Sequence, residues 1–197
     1  MSDDQRSDSD LMLAVAGGSR VALAALVRRH QASVLRVAYR FLGRWDLAED
    51  VAQDVFLRVL AAASTYRPTA KFSTWLARIA IHRCLDLRRR GRRAPRALEA
   101  VSAQEGSTVP AEEALAKREV AGRVREAVLS LQERQRVAVV LHRYEGLSHR
   151  EIAGIMACSE SAVESLLVRG YAQLRQALAP LWEEPPPPDA GNAPVER

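Results

Sequence analysis

The sequence predicts an all-α protein of two small helical domains, an N-terminal bundle of three or four helices and a C-terminal helix-turn-helix domain, joined by a flexible linker. Three observations carry this. Ala, Leu, Val and Arg dominate while the 197 residues hold only three Phe, three Trp and four Tyr, and straight-chain side chains such as Leu and Arg lose little rotamer freedom in a helix. Apolar residues recur at three- and four-residue spacing through both halves. Between the halves, residues 92–112 hold Pro95, Gly106 and Pro110 among small polar residues without helical period, the composition of a linker.

Residues 1–10 are polar and are expected to form a disordered tail. Within residues 11–91, Ser19 reads as an N-cap, after which Leu23, Leu26, Val27, Val34, Ala38 and Phe41 keep one helix face apolar until Gly43 ends it. Asp46 with Glu49 has capping-box spacing ahead of the stripe Val51, Val55 and Val59. Tyr66, Arg67 and Pro68 predict a loop, because proline disfavours helix at the residue before it. A third helix is predicted from near Ser73, through Trp75, Leu76, Ile79, Ala80 and Leu87, to Arg88, Arg89, Arg90 and Gly91.

Residues 113–181 are again helical. Ser130 with Glu133 is read as a capping box leading into Val137, Val140, Leu141 and Tyr144, and Gly146 breaks that helix. Leu147, Ser148, Glu151 and Ile152 combine a capping box with a hydrophobic staple, so a short helix starts at Ser148 and stops by Ala157 or Cys158. A longer one follows from Ser159 or Ser161, with Val163, Leu166, Leu167, Gly170, Leu174 and Leu178 on one side. Residues 182–197, with Pro185, Pro186, Pro187 and Pro188, are expected to be a disordered tail.

The formal charge of +5 understates how basic the folded part is. Asp3, Asp4, Asp8 and Asp10 outweigh Arg6 at one end, and Glu183, Glu184, Asp189 and Glu196 outweigh Arg197 at the other. Each end is therefore net −3, leaving +11 on residues 11–182. A surplus of that size fits a polyanionic partner or, more simply, a solvated charged surface. Cys84 and Cys158 lack CxxC spacing, which points to a reduced, cytoplasmic chain without a zinc site. No apolar run is long enough to span a bilayer. His30, His142 and His149 do not stand at metal-ligand spacing with either cysteine, and acidic pairs fall at helix starts, so neither a metal, a cofactor nor a catalytic group is expected.

A short helix, a tight turn and a longer helix form the helix-turn-helix pattern, in which the second helix lies in the major groove of DNA. Turning Val163, Leu167, Gly170 and Leu174 inward at 100° per residue sends Ser161, Ser165, Val168 and Ala172 outward, with Glu164 and Arg169 on the flanks. Ser161, Ser165 and Arg169 are the candidate contacts: hydroxyls bond phosphates, and a guanidinium reaches a guanine edge or a phosphate.

Both halves, over residues 11–91 and 113–180, resemble the extracytoplasmic-function group of sigma-70 family factors, which direct RNA polymerase to promoters and open them. The segment DLAEDVAQDVF (Asp46–Phe56) is similar to the part that grips the coiled coil of the polymerase's clamp-bearing subunit, and the resemblance carries core binding to Asp50, Gln53 and Phe56. Phe56 also suits an ordinary core position. FSTWLARIAIHRCLDLRRR (Phe72–Arg90) is similar to the part that reads and melts the minus-10 element. Aromatic rings there offer stacking platforms and arginines follow the backbone of opened DNA. The residues implied are Tyr66, Lys71, Trp75, Arg78, His82, Arg83 and Arg88, although Phe72 and Trp75 fit the buried stripe equally. His82 stands where the family often has Asn.

LQERQR (Leu131–Arg136), GLSHREIA (Gly146–Ala153) and SAVESLLVRGYAQLR (Ser161–Arg175) are similar to the minus-35-binding domain, with Gln132 where the family usually has Pro. The partners implied are core RNA polymerase, promoter DNA and an anti-sigma factor, with no membrane insertion. Two other readings of the residues stay open: a stand-alone helix-turn-helix regulator, which would dimerise on a palindrome, and a protein-interaction adaptor, whose binding would resist salt.

Overall fold

A computed structural model describes residues 6–93 and 111–182. These residues form eight α-helices and two short 3₁₀ turns, with no strand among them. The helices are α1 (Asp8–Ala16), α2 (Arg20–Leu42), α3 (Trp45–Ala62), α4 (Phe72–Arg93), α5 (Ala111–Ser130), α6 (Glu133–Glu145), α7 (His149–Met156) and α8 (Glu160–Leu178).

Residues 8–10, expected to lie in a polar tail over residues 1–10, belong instead to α1, which begins at Asp8, while residues 1–5 lie outside the described residues. Ser7 caps it by accepting the Asp10 N–H, and Leu11, Met12 and Val15 are buried on its inner side. Asp8 is also tied to α2, where it meets Arg29 at 2.5 Å and His30 at 3.1 Å. Helix α2 starts at the predicted cap Ser19 and ends at Gly43, whose φ of 74° is the left-handed conformation that favours glycine. A Cβ on Gly43 would lie 2.4 Å from Leu129, so this glycine also lets α5 close onto the end of α2.

Two predicted capping boxes are replaced by others. Ahead of α3 the cap residue is Arg44, whose guanidinium holds Asp46, while Glu49 accepts the Trp45 indole N–H at 3.0 Å. A charge-assisted bond to arginine outcompetes a neutral backbone N–H for the Asp46 carboxylate. Ahead of α6, Ser130 closes α5 instead by donating to the Ala127 carbonyl, and Gln132 and Gln135 form the reciprocal cap. The glutamine that departs from the family's usual proline is thus the N-cap itself. The box of Ser148 and Glu151 forms as predicted, and of the two starts left open at Ser159 or Ser161 the cap is Ser159.

Helix α4 runs past Gly91 to Arg93 and α5 begins at Ala111, so each reaches into the stretch expected as linker over 92–112. The remainder of that stretch, and residues 183–197 of the expected C-terminal tail, lie outside the described residues.

Helices α1 to α4 pack around α2, and α5, α6 and α7 pack against α8. The two groups also meet: α5 and α6 lie against α2, and α6 touches α4. Helix α6 is the reason. Its residues Gln135 to Leu141 are all buried, so it presents no solvent face there and is enclosed between α2 and α8. One run of apolar contacts consequently extends from Leu11 to Leu167. At the seam Arg136, 5% exposed, donates to the carbonyls of Phe41 and Leu131, each at 3.0 Å, and of Leu129. No helix among the described residues is long and apolar enough to cross a membrane.

Candidate functional site

Three surfaces carry the residues singled out in the sequence. The first is the outer side of α8. Val163, Leu167 and Gly170 are buried, and a Cβ on Gly170 would come within 2.9 Å of Val139, which fixes how closely α8 crosses α6. The opposite side exposes Ser161, Ser165 and Arg169, with Val168 65% exposed between them. Ser165 donates to the Ser161 carbonyl at 3.0 Å and Arg169 Nε to the Ser165 carbonyl at 3.1 Å, which lays the three along one strip. With its proton committed to the helix, the Ser165 hydroxyl keeps lone pairs for an incoming donor. The turn before α8 is held by Ala157 in the left-handed region, φ 49°. Helices α6, α7 and α8 are braced by His142, which bonds the Tyr171 hydroxyl at 2.8 Å and stands 5.6 Å from the His149 ring.

The second surface is α4 and the loop before it. Lys71, Trp75, Arg78 and His82 follow one another at four-, three- and four-residue steps and so share one face. Lys71, Arg78 and His82 are exposed and Trp75 is half-buried. Trp75 packs edge-on against Tyr66 at 5.0 Å and meets Phe72 at a tilt at 5.5 Å, and Phe72 lies tilted against His30 at 5.0 Å. Phe72 is 5% exposed and is a core residue, which leaves Tyr66 and Trp75 as the partly open rings of this cluster. Burial raises the Tyr66 phenol above its ordinary pKa. Arg83 and Arg88 are drawn elsewhere: Arg83 bonds Asp54 of α3 at 2.5 Å, and Arg88 sits 3.6 Å from Glu133 of α6.

The third surface is α3. Asp50 and Gln53 are exposed, whereas Phe56 is only 9% exposed and forms the floor of a groove. That groove, of about 440 Å³, runs between α2 and α3 and is walled by Leu23, Val27, Leu35, Leu57 and Leu60, with Gln53 on its rim. Leu57 and Leu60 are 56% and 48% exposed, a large apolar area open to solvent. The sequence reading passed over both. The available signal was two apolar residues standing off the buried stripe of Val51, Val55 and Val59.

No group of three or more His, Cys, Asp or Glu among the described residues is arranged to hold a metal ion.

Comparison with known proteins assigns these surfaces to two family regions. Residues 26–94 match the model of sigma-70 region 2, and residues 121–174 match that of sigma-70 region 4. The chain is 33% identical over 190 residues to the RNA polymerase sigma-H factor of Pseudomonas aeruginosa, covering 91% of this chain and 98% of that one. It is 34% identical over 175 residues to the ECF RNA polymerase sigma factor SigM of Mycobacterium tuberculosis, covering 88% and 86%. It is 31% identical over 187 residues to the ECF RNA polymerase sigma-E factor of Escherichia coli, covering 90% and 97%. Among solved structures, CnrH in complex with the cytosolic domain of CnrY superposes with a TM-score of 0.67 at 26% identity, over 90% of this chain and all of that one. The sigma factor RpoE of Bartonella quintana, solved with the anti-sigma factor NepR, shares the fold at a TM-score of 0.61 and 21% identity, over 78% and 94%.

Proposed function

The chain belongs to the extracytoplasmic-function group of the sigma-70 family of RNA polymerase sigma factors, and on that premise we propose how its surfaces divide promoter recognition among them. It is a sigma factor rather than a stand-alone regulator, so its DNA contacts serve the polymerase and it needs no palindrome. Residues 11–91 act as one unit and residues 113–181 as the other, the first binding core enzyme and the minus-10 element and the second the minus-35 element. Catalysis belongs to the polymerase, which places the chain in the cytoplasm with its core partner and promoter DNA. An anti-sigma factor is a further partner, in keeping with CnrH having been solved with a partner chain.

On α3, Asp50 and Gln53 meet a basic helix pair while the apolar groove floored by Phe56 takes up its side chains, so that charge sets orientation and buried area sets affinity. On α4, Lys71, Arg78 and His82 follow the backbone of the opened strand, and Trp75 and Tyr66 offer ring faces to its bases. Arg83 and Arg88 take part after leaving Asp54 and Glu133. On α8, Ser161, Ser165 and Arg169 enter the major groove.

The observation that carries this reading is the division of α8, with Ser161, Ser165, Val168 and Arg169 exposed on one strip while Val163, Leu167 and Gly170 seal the other side. Size-exclusion chromatography with purified core polymerase tests it. The expected result is a stoichiometric complex, weakened about tenfold or more by Asp50→Lys because like charge then faces the basic helices. Failure to form any complex would overturn the reading, and a complex indifferent to Asp50→Lys would remove core binding from α3.

A further inference from the structure

We propose that residues 183–197, the acidic and proline-rich segment that follows the helix-turn-helix half, dock on this chain's own surface as an extended ligand, in an apolar groove between α5, α6 and the end of α8.

The groove holds about 770 Å³. Buried Val128 and Val139, with half-buried Leu174 and Leu178, give it an apolar lining. Three rings border it, those of Tyr144, Tyr171 and Trp182. The Tyr171 hydroxyl is bonded to His142 at 2.8 Å, which fixes that ring in place. Trp182 is 59% exposed, an indole left largely in solvent. Arg143 and Arg175 complete the lining; both are exposed, and neither has an acidic partner among the described residues. Apolar area, rings and two uncommitted cations together call for an occupant that is extended, apolar in part and acidic.

Residues 183–197 have that character and begin at the groove itself, because Trp182 both lines it and immediately precedes them. Glu183 and Glu184 come first, to meet Arg143 and Arg175, and Pro185, Pro186, Pro187 and Pro188 follow, to lie on the rings. A proline run favours the polyproline II form, about 3.1 Å per residue, which docks in aromatic-lined grooves at little ordering cost because φ is already fixed. The net charge of −3 on the segment complements the two arginines. Attachment at the rim supplies an effective concentration on the order of millimolar, so a segment that binds with a Kd of about 100 μM as a separate peptide is docked about nine-tenths of the time. A second copy of the chain fits less well, since a two-fold contact through this face gathers Arg143 and Arg175 of both copies into one interface. Ser161, Ser165 and Arg169 do not line the groove, so the docked segment leaves uncovered the strip proposed to meet DNA.

A chain ending at Trp182 and a fluorescently labelled peptide of residues 183–197 test the docking. Every described helix ends before Glu183, and circular dichroism confirms that the shortened chain and its variants keep their helices. Anisotropy is expected to show the peptide binding the shortened chain with a Kd of about 100 μM or tighter, and binding the full chain about tenfold more weakly because its own segment already fills the groove. Arg143→Glu with Arg175→Glu in the shortened chain is expected to weaken the peptide about tenfold again, as like charges then meet. No binding to the shortened chain, equal affinity for the two chains, or an affinity unmoved by the arginine substitutions would overturn the docking. So would a full chain that light scattering shows to be a dimer and that Leu174→Glu makes monomeric, which would give the groove to a second copy. None of these measurements involves core polymerase or DNA, so the sigma-factor reading stands or falls separately.

Discussion

The two cysteines show how differently the fold treats like residues. Cys84 is fully buried on the inner side of α4, and burial pushes its thiol up from about 9 to about 12. Cys158, in the turn ahead of α8, is only half-buried. Thiolate, not thiol, attacks disulfide reagents. The native protein is therefore expected to yield one thiol per chain to Ellman's reagent within minutes and two after denaturation; two fast thiols in the native state would contradict the burial of Cys84. The same group adds a pH dependence. Because its folded pKa is raised, its contribution to stability is complete below the unfolded value near 9 and is lost as pH rises toward about 12. Equilibrium unfolding followed between pH 8 and pH 11 is expected to show a decline in stability that Cys84→Ala lessens. At this scale the sequence was legible where a side chain has a single strong local partner. Ser19, Ser148 and Ser159 cap as expected, whereas Asp46 does not, because Arg44 is a stronger partner than any N–H and nothing in the helical period reveals it.

Among the elements, α8 bears the most specific expectation. Arg169 is exposed on the outward strip and bonded to the Ser165 carbonyl. Arg169→Ala is expected to weaken binding of the core complex to promoter DNA by about 1–3 kcal/mol if it reads a base edge, with specificity relaxed at one position. If it meets a phosphate instead, the salt slope falls by about one while specificity stays. Unchanged affinity and unchanged salt slope would remove α8 from the interface. This element was readable in advance because its buried stripe and start signal agree. Helix α6 was readable only in part. Its amphipathic stripe Val137, Val140, Leu141 and Tyr144 was recognised, yet the unbroken apolar run Val137–Leu141 is the mark of a helix enclosed on all sides, and with it went the central place of Arg136. Periodicity identifies one buried face; what covers the opposite face is decided by tertiary packing. For the same reason α4 was legible as a basic, aromatic helix, while the turning of Arg83 to Asp54 and of Arg88 to Glu133 depends on neighbours distant in sequence.

The molecule as a whole carries the two helices proposed to read DNA, α4 and α8, on units that touch through polar bonds and share a run of apolar contacts. Two readers joined by a chain segment gain affinity through effective concentration only when the geometry lets both engage at once. On the proposed reading core polymerase, bound through α3, supplies that geometry, so that promoter specificity is expected of the complex and not of the free chain. Run-off transcription of fragmented genomic DNA by purified core enzyme, with 5′ ends sequenced in the presence and absence of this chain, tests that claim most directly. The expected result is a discrete set of new start sites, each preceded by two shared sequence blocks near −10 and −35 and each lost when the chain or the core is left out. Start sites no different from those of core alone would contradict the account.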